Sequence, residues 1–98
     1  MILTAKQRQF LRGLAHPLEP VVRVGHKGVT EAVLAETRRA LEAHELIKVR
    51  IEADAAADRK SIAQALAEGT DAQLAGTIGK LAILYRAREE KPAISLPR

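Results

Sequence analysis

The segment from residue 46 to residue 51 constrains the fold most, because apolar and charged side chains alternate along it. Its β-branched residues at positions 47, 49 and 51 are separated by Lys48 and Arg50. A period of two is typical of a β-strand that has one buried face. We therefore expect a strand within a sheet, with its apolar face in the core and with Lys48 and Arg50 on an exposed face.

Helical patterns surround this strand. A capping box formed by Thr4 and Gln7 predicts the start of a first helix, which Pro17 stops. Its predicted inner face consists of Leu3, Phe10 and Leu14, with Leu11 at the border, opposite Arg8 and Arg12. Thr30 is a suitable N-cap for a second helix. Residues 52–57 are interpreted as a loop that leads into a third helix.

The third helix is expected to begin near Asp58 and to end at Gly69, which has the character of a C′ residue. Its predicted inward residues are Ile62, Ala65 and Leu66. Strands are expected from Val21 to Val24, from Ala72 to Ile78 and from Leu81 to Arg86. Gly79 and Lys80 would join the last two strands in a type II′ hairpin turn.

The resulting order αβαβαββ predicts an α/β fold of the α+β two-layer kind, with a four-stranded mixed sheet packed with three helices. Ninety-eight residues fit one domain, residues 1–98, whose residues 87–98 form an extended C-terminal tail. The chain has no cysteine, which excludes disulfides, thiolate zinc sites and thiol nucleophiles. It shows neither a signal-peptide pattern nor an apolar run that could span a membrane, so we expect a cytoplasmic protein.

The charge of the chain favours an anionic partner. Sixteen Lys and Arg outnumber twelve Asp and Glu, which gives a net charge of +4. The excess lies at the two ends of the chain, and residues 1–28 hold five basic side chains against Glu19 alone. Phe10 and Tyr85 are the only aromatic residues, so a stacking platform of several rings is excluded. A nucleic acid would have to be bound mainly through its backbone.

The most informative motif is the G-x-x-G sequence Gly25-His26-Lys27-Gly28, placed between a predicted strand and a predicted helix. Two glycines let a polyanion approach the peptide backbone closely, and the helix N-terminus offers unpaired N–H groups. Lys27 and a protonated His26 would add positive charge. The KH module clamps single-stranded nucleic acid in this way. The alternative is that the two glycines are plain turn residues.

Further basic residues are candidates for the same RNA-binding site. Arg23 lies just before the loop, Lys6, Arg8 and Arg12 lie on the first helix, and Arg38 lies on the second. Each has a structural interpretation as well, since most charged helix residues only solvate a surface. Arg38 could pair with an acidic neighbour.

Catalysis finds no support in the sequence. His16, His26 and His44 lack the i, i+4 spacing of helical zinc motifs, and both serines lack a nucleophile-elbow context. We therefore expect no enzyme activity, no metal site, no cofactor and no small-molecule substrate.

Short motifs run along almost the whole chain. They are Leu3-Thr4 with Lys6-Gln7, Leu11, Leu14-Ala15-His16, the Gly25–Thr30 loop, His44-Glu45-Leu46-Ile47-Lys48-Val49, Ile78-Gly79-Lys80, Leu84-Tyr85-Arg86 and Ile94-Ser95-Leu96-Pro97-Arg98. Together they resemble the CRM domain (chloroplast RNA splicing and ribosome maturation) in its stand-alone, YhbY-like bacterial form. The sequence departs from the family pattern in the alanine-rich stretch from Glu52 to Asp58.

The resemblance implies an RNA-binding module whose fold is similar to the C-terminal domain of bacterial translation initiation factor three. It also implies an association with precursors of the large ribosomal subunit. The family's loop maps onto Gly25–Gly28 and its basic first helix onto Lys6, Arg8 and Arg12. The resulting hypothesis is a monomeric protein that binds ribosomal RNA and no membrane. The alternative is an adaptor that binds an acidic protein through the Lys48 and Arg50 sheet face or through the tail.

Overall fold

Within residues 2–98, which the computed structural model describes, three helices and four strands follow one another in the predicted order. The helices are α1 (Ala5–Ala15), α2 (Glu31–His44) and α3 (Ala56–Gly69). The strands are β1 (Pro20–Val24), β2 (Leu46–Ile51), β3 (Gln73–Ile78) and β4 (Leu81–Tyr85). No helix in this part of the chain has the length and apolar character needed to cross a membrane.

The strands form one mixed sheet in the order β1-β2-β4-β3. The crossover helix α2 joins β1 to its parallel neighbour β2, and β4 lies antiparallel to both β2 and β3. The four-stranded mixed sheet is therefore confirmed. Gly79, the first of the two residues between β3 and β4, has a φ of +57°, in agreement with the predicted hairpin turn.

Helices cover both faces of the sheet, and each face has its own apolar core. On one face, Val49 belongs to a core that includes Leu41 of α2 and Leu66 of α3. On the other, Ile83 belongs to a core that includes Leu11 of α1. The α/β class and the number of helices are as predicted. The expected two layers become three, because α1 packs against the face opposite α2 and α3.

The predicted exposure of Lys48 is wrong, since α1 covers the sheet face on which it lies. Its side chain is buried, and its Nζ donates a hydrogen bond of 3.0 Å to the carbonyl oxygen of His16. That carbonyl belongs to the C-terminal end of α1, where the helix dipole favours a cation. Arg50, two residues further along β2, stays partly exposed.

The predicted inner face of α1 is wrong in part. Leu11 and Ala15 are fully buried, whereas Phe10 and Leu14 are 37% and 42% exposed. The helix carries two apolar stripes, and the sheet beneath it covers only one of them. The small side chain of Ala15 lets the helix approach the sheet closely along the covered stripe.

Both predicted N-caps are confirmed. The backbone N–H of Gln7 donates to Thr4 Oγ1 at 3.1 Å, and that of Thr4 donates to Gln7 Oε1 at 3.0 Å, which completes the capping box. Thr30 Oγ1 accepts from the N–H of Val33 at 3.2 Å at the start of α2. The short-range polar signals of these helices thus agree with the structure even where their apolar faces do not.

The third helix starts earlier than predicted, at Ala56 instead of near Asp58. Alanine has the highest helix propensity, so the run before Asp58 extends the helix rather than the loop. Its fully buried side chains are Ala63, Leu66 and Ala67, and the predicted inward residue Ala65 is exposed.

The predicted role of Gly69 is also wrong, because it is the last residue of the helix and not a left-handed C′ residue. The positive φ of +58° falls two residues later, at Asp71. A Cβ on Gly69 would lie 2.7 Å from Leu34 Cδ2 of α2. The glycine therefore permits close packing between α2 and α3.

The tail, residues 87–98, contains no helix or strand, yet it is held against the fold through Glu45. This residue is fully buried, and its carboxylate accepts hydrogen bonds from the N–H groups of Arg88 (2.8 Å), Ala93 (2.6 Å) and Ile94 (3.1 Å). Burial raises the pKa of the Glu45 carboxyl, but the three N–H groups outweigh it and hold that pKa below the usual 4.5. Ile94 and Leu96 then pack against the core under α1.

Candidate functional site

The G-x-x-G loop forms an exposed turn between β1 and α2. The N–H of Gly28 donates to the carbonyl oxygen of Gly25 at 3.0 Å, and Gly28 adopts a φ of +75°, which favours glycine. Apart from the adjoining residues of the chain, no heavy atom of residues 2–98 lies within 4 Å of the position that a Cβ would take on either glycine. Gly25, His26 and Lys27 are exposed. A ligand can therefore reach the loop backbone without displacing protein atoms.

The loop leads directly into the N-terminus of α2. Thr30 caps the N–H of Val33 there, and the N–H groups of Glu31 and Ala32 have no intrahelical acceptor. These N–H groups carry the positive end of the helix dipole, which attracts anions. The carboxylate of Glu31 in the first turn offsets part of this attraction.

Two arginines and one glutamate lie on the sheet beside the loop. Arg23 of β1 and Arg50 of β2 are register partners and so point to the same face. Glu52 Oε1 lies 2.6 Å from Arg50 Nε and 3.6 Å from Arg23 Nε. The hydrogen bond from Arg50 lowers the pKa of the Glu52 carboxyl, which keeps it charged. One carboxylate is thus shared by two guanidinium groups, which leaves a positive balance.

A shallow acidic cleft adjoins the loop. It measures about 500 Å³ and is lined by Gly25, His26, Asp54 and Asp58, among others, and by Glu52, which also contacts the two arginines. A polyanion at the loop is repelled from this cleft and attracted to the side of Arg23. The loop therefore has a preferred direction along which a charged chain can leave it.

The basic residues of α1 lie apart from the loop. Arg12 extends over Gly76 of β3, where its Nη1 donates to the carbonyl oxygen of Ala75 at 3.1 Å. Because β1 and β3 are the two edges of the sheet, three strand spacings of about 4.8 Å, roughly 14 Å, separate them. Arg8 donates to the carbonyl oxygen of Leu3, so part of its hydrogen-bonding capacity is used within the helix start.

Two more predicted residues are also remote. Lys6 Nζ donates to the carbonyl oxygen of Arg98 at 3.3 Å, next to the tail. Arg38 Nη2 donates to the carbonyl oxygen of Gly69 at 2.8 Å, in the layer on the opposite face of the sheet from α1. The structure therefore brings Arg23 together with the loop, and it places Lys6 and Arg38 elsewhere.

Arg50 is absent from the RNA-binding residues that the sequence predicts, where it belongs only to the exposed sheet face of the alternative adaptor. The signal that could have identified it is the register between β1 and β2, which places it beside Arg23. Within residues 2–98, no group of three or more His, Cys, Asp or Glu residues is arranged to hold a metal ion.

Comparisons with known proteins found relatives that match most of the chain. The sequence model of the family described as the CRS1 / YhbY (CRM) domain matches residues 3–86. A Haemophilus influenzae protein named "RNA-binding protein" is 50% identical over 99 residues, which cover 98% of this chain and 96% of the relative. A Bacillus subtilis relative named "Probable RNA-binding protein YqeI" is 42% identical over 96 residues, covering 98% of this chain and all of the relative.

A solved structure shows the same fold. The solution structure of the Staphylococcus aureus protein SAV1595 matches with a TM-score of 0.88 at 36% sequence identity. The match covers 98% of this chain and the whole of that chain. The helices, the sheet and the connections between them are thus shared with an experimentally determined relative.

Proposed function

The chain belongs to the CRS1 / YhbY (CRM) domain family, and from this premise we propose that it is an RNA-binding protein that acts in assembly of the large ribosomal subunit. It would work in the cytoplasm as a monomer, hold structured ribosomal RNA, and carry out no chemical step of its own. The relatives named as RNA-binding proteins support the ligand class. The ribosomal assignment rests on the family resemblance of the sequence.

One observation carries the RNA-binding proposal, namely the open backbone of the G-x-x-G loop. Gly25 and Gly28 face open space, and Lys27 is exposed beside them. Phosphate oxygens accept hydrogen bonds from the backbone N–H groups of such a loop and are attracted by its nearby positive charge. The exposed loop, its charge and its position at the start of α2 combine features that nucleic-acid clamps require.

Recognition would depend on phosphates more than on bases. Tyr85 is only 2% exposed, which leaves Phe10 as the one aromatic ring at the surface of the described residues. Without stacked rings, the affinity should depend strongly on salt. If ~4 phosphates are neutralised, log K should fall by ~3 for each tenfold rise in salt concentration on single-stranded RNA. A salt-independent affinity would contradict the proposal.

The experiment for the ribosomal role is sedimentation of a cell extract through a density gradient. The proposal predicts that the protein travels with precursors of the large subunit, and that nuclease treatment releases it. A protein that stays at the top of the gradient, or that moves only with mature subunits, would contradict the assembly role.

The competing function is an adaptor for an acidic protein, and the structure weakens one form of it. Lys48 is buried and hydrogen-bonded to His16, so it is not available on an open sheet face. Nuclease treatment separates the two functions, because an association with an acidic protein survives it and an association through RNA does not.

A further inference from the structure

One row of side chains crosses all four strands on the sheet face that α1 covers only in part. Arg23 of β1 pairs in register with Arg50 of β2, Arg50 pairs with Leu81 of β4, and Leu81 pairs with Ile78 of β3. Residues that pair across a sheet point to the same face. We call these four residues the open row.

The open row is accessible because α1 stops short of it. Further along the same face, Ile83 is fully buried, and Lys48 is covered by the end of α1. In the row itself, Ile78 is 55% exposed, and the side chains of Arg23 and Arg50 are 71% and 41% exposed. With Leu81 also partly exposed beside it, Ile78 gives this end of the row an accessible apolar surface.

The charged half of the row can hold phosphate. Arg50 Nε donates a hydrogen bond to Glu52, and Arg23 Nε forms an ion pair with it. Neither arginine makes a further side-chain hydrogen bond to the described residues. Their Nη groups are therefore free to donate to an anion, and the carboxylate offsets the repulsion between two adjacent cations. Lys80, in the hairpin beside Leu81, adds a further positive charge near this cluster.

The position of the row connects two sites that are otherwise separate. At the β1 edge, Arg23 lies two residues before Gly25 of the loop. At the β3 edge, Ile78 lies two residues after Gly76, over which the side chain of Arg12 extends. The row spans the roughly 14 Å between these edges. It also lies on the side of the loop where Arg23 and Arg50 supply positive charge.

We propose that the open row is a nucleotide-binding surface on which single-stranded RNA continues from the G-x-x-G loop towards Arg12. Arg23 and Arg50 bind successive phosphates, and Leu81 and Ile78 pack against the apolar face of a base or ribose. RNA is favoured over an acidic peptide because the row is continuous with the loop, where backbone N–H groups can donate hydrogen bonds to phosphate. This inference rests on the proposed function and adds a second contact surface to it.

The test compares a 4-nucleotide RNA with a mixed-sequence 12-nucleotide RNA. A G-x-x-G loop of the KH type clamps about four nucleotides, so the shorter RNA occupies the loop alone. In amide NMR spectra, we expect the shorter RNA to shift loop resonances only. The 12-nucleotide RNA should in addition shift the amides of Arg50, Leu81 and Ile78. If both RNAs shift only loop resonances, the inference that the open row binds RNA is wrong.

Variants provide the second measurement. We expect Arg50→Gln and Ile78→Asn each to weaken binding of the 12-nucleotide RNA by about 3- to 10-fold and to leave binding of the 4-nucleotide RNA unchanged. Arg39→Gln and Ile2→Asn make the same chemical changes at exposed positions away from the row, and they should bind both RNAs as the wild type does. Wild-type binding by both row variants would overturn the inference.

These experiments distinguish an error in the inference about the open row from an error in the proposed RNA-binding function. If Gly28→Asp weakens binding of both RNAs while the row variants have no effect, RNA binding at the loop stands and the row is wrong. If neither RNA shifts any resonance, both are wrong. Row shifts caused by poly-glutamate but not by RNA would also overturn the inference and would favour the adaptor.

Discussion

The two ends of α2 are built in opposite ways. At the N-terminal end, the loop from Gly25 to Gly28 has open space at the Cβ positions of both glycines, and the first N–H groups of the helix have no intrahelical acceptor. At the C-terminal end, Glu45 is fully buried and receives three backbone N–H groups from the tail, while the Arg88 guanidinium donates to the carbonyl oxygens of Glu42 and Ala43. One end is closed by the chain itself, and the other remains open.

The difference shows where the fold satisfies its own polar groups and where it leaves them for a ligand. Both ends need partners for unpaired helix groups, and a small domain normally supplies them. At the C-terminal end of α2, these partners come from the tail, which is distant in sequence. The chain supplies only Thr30 at the loop end. Changes at the closed end should therefore affect stability, and changes at the open end should affect binding.

The largest effect is expected at the closed end. Glu45→Ala removes the acceptor of three backbone N–H groups and releases the tail, which should lower the free energy of unfolding by about 3 kcal/mol. Urea denaturation measures this loss. Glu36→Ala, at an exposed acid on α2, is the matched control and should change stability by less than about 0.5 kcal/mol. A Glu45→Ala variant as stable as the control would show that the carboxylate does not hold the tail.

A smaller effect is expected from pH at the same carboxylate. The pKa of Glu45 lies below 4.5 in the folded protein, so the unfolded chain binds the proton more tightly. The stabilisation is present above pH 4.5 and is lost as the pH falls through the lower, folded pKa. Wild-type unfolding free energies measured between about pH 3 and pH 7 should fall more steeply in acid than those of Glu45→Gln. Parallel curves would contradict the role of the charged form.

The smallest effect is expected from a substitution in the loop at the open end of α2. Lys27→Ala should weaken RNA binding by about 2- to 5-fold, because one phosphate contact is lost, and should leave the unfolding free energy unchanged. Lys91→Ala makes the same change on an exposed tail residue and should alter neither quantity. Fluorescence anisotropy with a labelled RNA and urea denaturation give the two values. Equal effects of both variants on affinity would mean that binding does not distinguish the two ends.

The sequence predicted those parts of the fold that depend on local chemistry. Short-range patterns correctly indicated four local features, namely the N-caps Thr4 and Thr30, the turn glycine Gly79 and the exposed loop. Each of these features depends on residues within three or four positions of one another. Backbone chemistry of this kind leaves a direct signal in the sequence.

The parts that were not predicted depend on tertiary contacts. Phe10 and Leu11 are both apolar, and only the position of the sheet decides that Leu11 is buried. Lys48 has the pattern of an exposed residue until α1 is placed over it. The partnership of Arg50 with Arg23 requires the register of two strands that are far apart in sequence. No local pattern contains this information.

The most direct test of the central claim is the affinity of Gly28→Asp for single-stranded RNA, measured beside two controls. Gly28→Asn has a side chain of the same size and a similar tolerance of a φ of +75° but no charge, and Ser95→Asp adds the same charge to the exposed tail. The account predicts that folded Gly28→Asp binds at least about tenfold more weakly than wild type and than either control, because its carboxylate lies where phosphate must approach. Wild-type affinity of folded Gly28→Asp would contradict the claim that the open end of α2 binds RNA.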